Sequence, residues 1–120
     1  MDNGTNIQEM KDAIKKFCED RDWDQYHNAK DLAIGIITES SELLEHFRFK
    51  SQPEIESLFR NHETREKISE EMADVLYFLL RLSQRYGIDI STAFREKMAK
   101  NEAKYPVDKI KGLNKKYDEI

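Results

Sequence analysis

The sequence predicts an all-α fold, a four-helix-type bundle of long antiparallel helices. Only four Gly and two Pro interrupt the 120 residues, which favours long helices joined by short connections. Apolar residues recur at helical spacing, and the alternation of a half-buried strand is nearly absent. Charged residues make up 37% and the hydrophobic set 38%, with a mean hydropathy of −0.83. Because the apolar residues are periodic rather than missing, this charge density marks amphipathic helices and not disorder.

The elements follow in order. The first helix is predicted from about Asn6 to Glu19, with Ile7, Met10, Ile14, Phe17 and Cys18 as its buried stripe. Residues 20–27 are polar and aromatic without a clean period, so they read as a loop. The second helix is predicted from about Asn28 to Phe49. Leu32, Ile36, Leu43 and Phe47 form one stripe, and Ala33, Ile37 and Leu44 widen it, which implies contact on more than one side. Pro53 restarts the chain in a short helix over residues 53–60. The third long helix is predicted from about Glu63 to Tyr86. Ile68, Met72, Val75, Leu76, Leu79, Leu80 and Leu82 cover much of its circumference, so it should be central. Gly87 suits a C-cap and Asp89 or Ser91 an N-cap for a fourth helix, which runs to about Ala103 before Pro106.

Length and charge restrict the function. A chain of 120 residues fits one domain over residues 1–120, with 106–120 a less regular tail. Its modest core would gain from subunit association. The net charge is −4 and the pI about 5.4, so stable nucleic-acid binding is not expected. An acidic protein that handles an anion needs bound cations or a few well-placed Lys and Arg. The single Cys18 has no disulfide partner and reads as a small buried hydrophobe. There is no 18-residue apolar run and no basic-then-apolar leader. No membrane span is expected, and the reading is a soluble, cytoplasmic protein.

Chemistry concentrates in two acidic pairs. Glu39 and Glu42 lie three apart in the second helix. Three residues turn a helix by about 300° and rise about 4.5 Å, so both carboxylates share a face. Ile36, Ile37, Leu43 and Leu44 flank them. The third helix repeats the pattern with Glu71 and Asp74, followed by Val75, Leu76 and Phe78. Four partly desolvated carboxylates on two facing helices repel unless cations occupy them. Magnesium is the natural occupant, since it is hard, prefers oxygen and bridges to phosphate. The spacing alone is not decisive, because Glu9 with Asp12 and Glu63 with Glu66 share it. A di-metal carboxylate bundle needs Glu-x-x-His, and His46 lies four after Glu42 instead. The remaining alternative is a non-enzymatic helical interaction module whose acids face solvent.

Further candidates surround this core. Lys97, Asn101 and Lys104 fall at i, i+4 and i+7 on the fourth helix and, with Tyr105, could bind phosphate and sugar, or form a solvated face. Trp23 and His27 flank the irregular loop, where an indole could stack on a base or belong to the core. Phe47 and Phe49 lie two apart and cannot face the same way on a helix, so one is core and Phe49 could reach outward.

The order Glu39-Ser-Ser-Glu42, connector, Glu71-Met-Ala-Asp74 resembles the signature of the MazG-like all-alpha NTP pyrophosphohydrolases. Arg21-Asp-Trp23-Asp-Gln-Tyr-His27, Phe47-Arg-Phe-Lys50, Lys97-Met-Ala-Lys-Asn101 and Lys104-Tyr-Pro106 extend the likeness to the dCTP pyrophosphatase-like branch, over roughly residues 7–117. The resemblance implies a homodimer or a dimer-of-dimers tetramer. It implies hydrolysis of a (deoxy)nucleoside triphosphate, dCTP or a related or modified pyrimidine dNTP, to the monophosphate and pyrophosphate. It assigns Mg2+ to Glu39, Glu42, Glu71 and Asp74; Mn2+ could substitute, and either Glu39 or Glu42 could take the proton of an attacking water. It matches Lys97, Asn101 and Tyr105 to positions near the substrate, often presented by a neighbouring subunit, and Trp23 and Phe49 to the aromatic pair around the base, with Phe78 at the base pocket. From the residues themselves Lys104 is a further substrate-binding candidate, and His27 could orient a substrate or serve as a surface or capping residue. The chain departs from the branch at Arg48-Phe49, where Gln-Trp is frequent, at Phe78, where animal members have Tyr, and at Ser41, where Gly or Ala is frequent. The first two departures touch the base pocket and leave the metal ligands intact.

Overall fold

The computed structural model describes residues 1–120, whose regular elements are all helical, without any strand. The chain forms two compact units, Met1–Gly87 and Ile88–Ile120. In the first unit α1 spans Ile7–Asp20, α2 Ala29–Glu45, α3 Gln52–Arg60 and α4 His62–Arg85. The second unit holds α5, Ile90–Lys104, and the single turn α6, Val107–Ile110. Short 3₁₀ turns cover Asp24–Tyr26 and Tyr117–Glu119.

Each main helix begins where a polar side chain satisfies a free backbone N–H. Asn6, Asn28, Asn61 and Asp89 accept from the backbone of Glu9, Asp31, Thr64 and Thr92. Asp89, not Ser91, is therefore the cap of α5. Ser51 and Glu54 form a reciprocal capping box ahead of α3, with Pro53 in its first turn. α2 stops at Glu45, four residues before the predicted end. The chain then turns through residues 46–49, and Phe49 takes a left-handed backbone with φ of 64°. That conformation cannot continue a right-handed helix.

α4 is the central helix of the first unit and packs against α2, α1 and α3. α2 and α4 run antiparallel. Ala29 donates to the Tyr86 hydroxyl at 2.7 Å, Gly35 lies against Phe78, and His46 reaches Glu71. Cys18, Leu32, Ile68 and Leu80 form the buried apolar core. Cys18 is buried as expected, and its Sγ lies 3.2 Å from the Tyr77 hydroxyl. Phe17, expected in the buried stripe, is 41% exposed. The Arg21 guanidinium covers one face of its ring, and the Trp23 and Tyr77 rings meet it in edge contacts. Ile37 and Leu44 of α2 and Met72 and Leu76 of α4 are exposed. No helix is long and apolar enough to cross a membrane.

Candidate active site

The antiparallel register of α2 and α4 brings the two acidic pairs together. Carboxylate oxygens of Glu39, Glu42 and Glu71 lie within 4.8 Å of one another. Glu39 and Glu71 are partly buried, and Glu42 is exposed. Asp74 stands outside this group of three, close enough for its charge to act on Glu39. One oxygen on each of Glu39 and Glu71, Oε2 in both cases, is buried without a hydrogen-bond partner. A buried acceptor of this kind is costly, and a cation among the three acids would satisfy both at once.

The electrostatics reflect the crowding. Burial, the hydrogen bond and charge of Glu42, and the charges of Asp74 and Glu71 push the Glu39 carboxyl up to about 7. Burial and Glu42 also raise Glu71, while His46 pulls it partly back. Such shifts follow when carboxylates share a low-dielectric site without a counter-charge.

His46 belongs to this site although the acidic pattern did not single it out. Its Nε2 lies 3.7 Å from a Glu71 oxygen. It follows Glu42 by four residues and Glu39 by seven, so helical spacing already placed it on the acids' face. It is not a member of the three-carboxylate group.

The aromatic candidates divide. Trp23 is 38% exposed, and its ring meets Phe17 and His27 edge-on at 5.6 and 6.2 Å. It is a rim residue rather than core. Phe49 is 91% exposed, with the Arg48 guanidinium 4.5 Å from its ring centroid. A non-glycine residue in left-handed backbone with an exposed ring is strained, as is common at ligand sites. Phe78 packs between helices: its ring lies on Gly35 and meets Tyr77 edge-on at 5.0 Å.

His27 is held from within. Its Nδ1 accepts from Arg81 Nε at 2.8 Å. Burial first, then the Arg81 charge, lowers its pKa, so the ring is neutral and carries its proton on Nε2. Arg81, only 1% exposed, also bonds Asp24 and Gln84. The sequence signal for Arg81 was a lone charge inside the run Val75 to Leu82.

In the second unit Lys97, Asn101 and Lys104 lie on α5, and Tyr105 caps its end, donating its backbone N–H to Asn101 O at 2.9 Å. Tyr105 meets Tyr117 edge-on at 6.2 Å, and Lys104 Nζ lies 4.8 Å over the Tyr117 ring.

A profile of the MazG-like family matches residues 34–120, which include both acidic pairs. Rat dCTP pyrophosphatase 1 is 31% identical over 114 residues, covering 95% of this chain and 67% of the relative. The human protein of that name is 29% identical over the same length. A crystal structure of a pyrophosphatase from Archaeoglobus fulgidus superposes with a TM-score of 0.77 at 38% identity, covering 83% of this chain and 92% of that one. Its likeness extends the agreement from sequence to backbone. With the profile spanning most of the chain and both acidic helices in place, the chain belongs to the MazG-like family.

Proposed function

We propose that this protein is a magnesium-dependent pyrophosphohydrolase of pyrimidine deoxynucleoside triphosphates, dCTP or a modified relative, acting in cytoplasmic nucleotide housekeeping. Family membership and pyrophosphatase relatives make it a nucleoside triphosphate pyrophosphatase. The metal and the base are the proposal. One observation carries the metal: the unpartnered buried oxygens of Glu39 and Glu71 beside Glu42. This all-oxygen donor set fits a hard divalent cation.

Glu39, Glu42 and Glu71 would hold magnesium, with Asp74 as the further ligand. When bound, magnesium offsets phosphate charge and lowers the pKa of water. Either Glu39 or Glu42 accepts the proton of the water that attacks the α-phosphorus, and Glu42 is the more exposed of the two. Asp74 and Glu71 keep the cluster acidic and Glu71 is steadied by His46. Trp23 and Phe49 offer exposed rings to the base, with His27 beside Trp23. On the family pattern, Lys97 and Lys104 are assigned to phosphate and Asn101 and Tyr105 to sugar or phosphate oxygens. The exposed apolar side chains of α2 and α4 support assembly as a homodimer or tetramer.

The test is pyrophosphate release from a dNTP panel, including 5-substituted dCTP and dUTP, with magnesium or manganese. We expect a pyrimidine preference and no turnover in chelator. Equal rates in wild type, Glu39→Gln and Glu71→Gln would sink the metal-site reading. A non-enzymatic module would bind neither magnesium nor a non-hydrolysable dNTP by titration calorimetry.

A further inference from the structure

We infer that Arg81 is a positioning residue for the nucleobase: buried in α4, it ties the Asp24–His27 segment to that helix and so sets where the Trp23 indole stands. The inference rests on the reading of Trp23 as a base-stacking residue.

The case begins with burial. Arg81 is the largest fully buried side chain in the protein, at 1% exposure. A guanidinium cannot lose its protons and is costly to bury without partners. Here each of its three nitrogens has one. Nε donates to His27 Nδ1 at 2.8 Å, Nη1 to Gln84 Oε1, and Nη2 to Asp24 Oδ1. The planar fork directs these bonds along fixed lines, so the partners have little freedom to shift. Gln84 lies on the same helix as Arg81, whereas Asp24 and His27 lie across a gap of more than fifty residues. The bonds therefore join the segment to α4 and do not merely neutralise a charge.

The segment's other ties run mainly to the end of α1, where the Phe17 ring also meets the Trp23 indole edge-on at 5.6 Å. Its 3₁₀ turn contains no buried residue, and Tyr26 is 62% exposed. Trp23 N–H reaches Cys18 O at 3.0 Å, and Asp22 takes left-handed backbone with φ of 56°. Those features tie the segment to the end of α1. Toward α4, Arg85 adds longer contacts: to His27 O at 3.3 Å, Asp24 O at 3.4 Å and Asp24 Oδ2 at 3.9 Å. The buried arginine is thus the short, directional tie. Trp23 directly precedes the turn, and its ring lies edge-on to His27, the residue Arg81 holds. A shift of the turn moves the indole with it.

Trp23 is the single tryptophan, so its fluorescence reports this segment alone. The experiment compares wild type with Arg81→Lys and Arg81→Met, each checked for helix content by circular dichroism. Emission anisotropy is read without nucleotide, and KM and kcat with magnesium and the best dNTP of the panel. We expect folded Arg81 variants to lose anisotropy and to raise KM about tenfold, with kcat within about twofold of wild type. Unchanged anisotropy in a folded variant overturns the proposal, as does a fall in kcat at constant KM. If neither Arg81 variant folds, the His27 pair decides by anisotropy alone. His27→Asn offers Arg81 an acceptor at the δ position and should keep the wild-type value, whereas His27→Ala should lose it. Equal values in the two overturn the proposal. Trp23→Ala with unchanged KM refutes base stacking instead, and the anisotropy result still decides whether Arg81 holds Trp23.

Discussion

The backbone of Gly35 in α2 lies directly on the ring of Phe78 in α4: a Cβ at position 35 would fall 2.4 Å from Phe78 Cδ1. Glu39 follows Gly35 by one helical turn, and Asp74 precedes Phe78 by one turn. This close approach therefore sets the spacing of the helices that carry the acids.

Gly35→Ala should accordingly destabilise the protein. Alanine gains up to about 1 kcal/mol of helix propensity over glycine. Overpacking against a ring costs about 1–3 kcal/mol, and the ring is no flexible chain end. The clash should win. Urea denaturation would show a lower midpoint for Gly35→Ala, with part of the loss recovered in Gly35→Ala/Phe78→Leu.

Glu39→Gln and Glu71→Gln should separate stability from function. Each removes a charge from a repelling cluster, so the metal-free variants should melt above metal-free wild type. The rise in melting temperature that magnesium gives wild type should shrink in both, and kcat should fall by about 10²–10³-fold. Thermal melts with and without magnesium, together with pyrophosphate release, check the three expectations.

The metal-free protein should lose stability as pH rises. Glu39 titrates near 7 in the folded protein against an ordinary 4.5, and Glu71 is shifted in the same direction. Between those pH values the folded state keeps a proton that the unfolded chain has released. Its stabilisation is complete below pH 4.5 and is lost as pH climbs through about 7. Melting temperatures in chelator should fall across that window and level off above it. Magnesium, which binds the deprotonated acids, should remove most of the decline.

Trp23→Ala should raise KM about tenfold for a pyrimidine dNTP, because stacking of a base on an aromatic ring is worth about 1–3 kcal/mol. Phe49→Trp restores the larger ring frequent in the resembled branch and should lower KM for dCTP. Steady-state kinetics on both variants read this directly, and equal KM values in Trp23→Ala and wild type would count against the base-stacking role.

The local chemistry of this protein is legible along the chain. The apolar stripes that include Leu32 in α2 and Ile68 and Leu80 in α4 mark helices because burial repeats with the helical turn. Asn28, Ser51 and Asp89 mark starts because their side chains satisfy nearby backbone donors. Phe49 hid the end of α2, since an apolar residue in left-handed backbone carries none of the usual glycine signal.

The acids at i and i+3 and the helices that bear them were determined by sequence alone, because both follow from contacts within one or two turns. Which acids meet, and what Arg81 does, were decided only by tertiary structure. The antiparallel packing of α2 on α4, of which the Gly35–Phe78 contact is one part, places Glu39, Glu42 and Glu71 together, with Asp74 outside that group. Arg81, an arginine in an apolar run, becomes a buried clamp because Asp24 and His27 arrive from far along the chain. A helix face follows from local periodicity, but the partner opposite it depends on the register between helices, and that is a property of their packing.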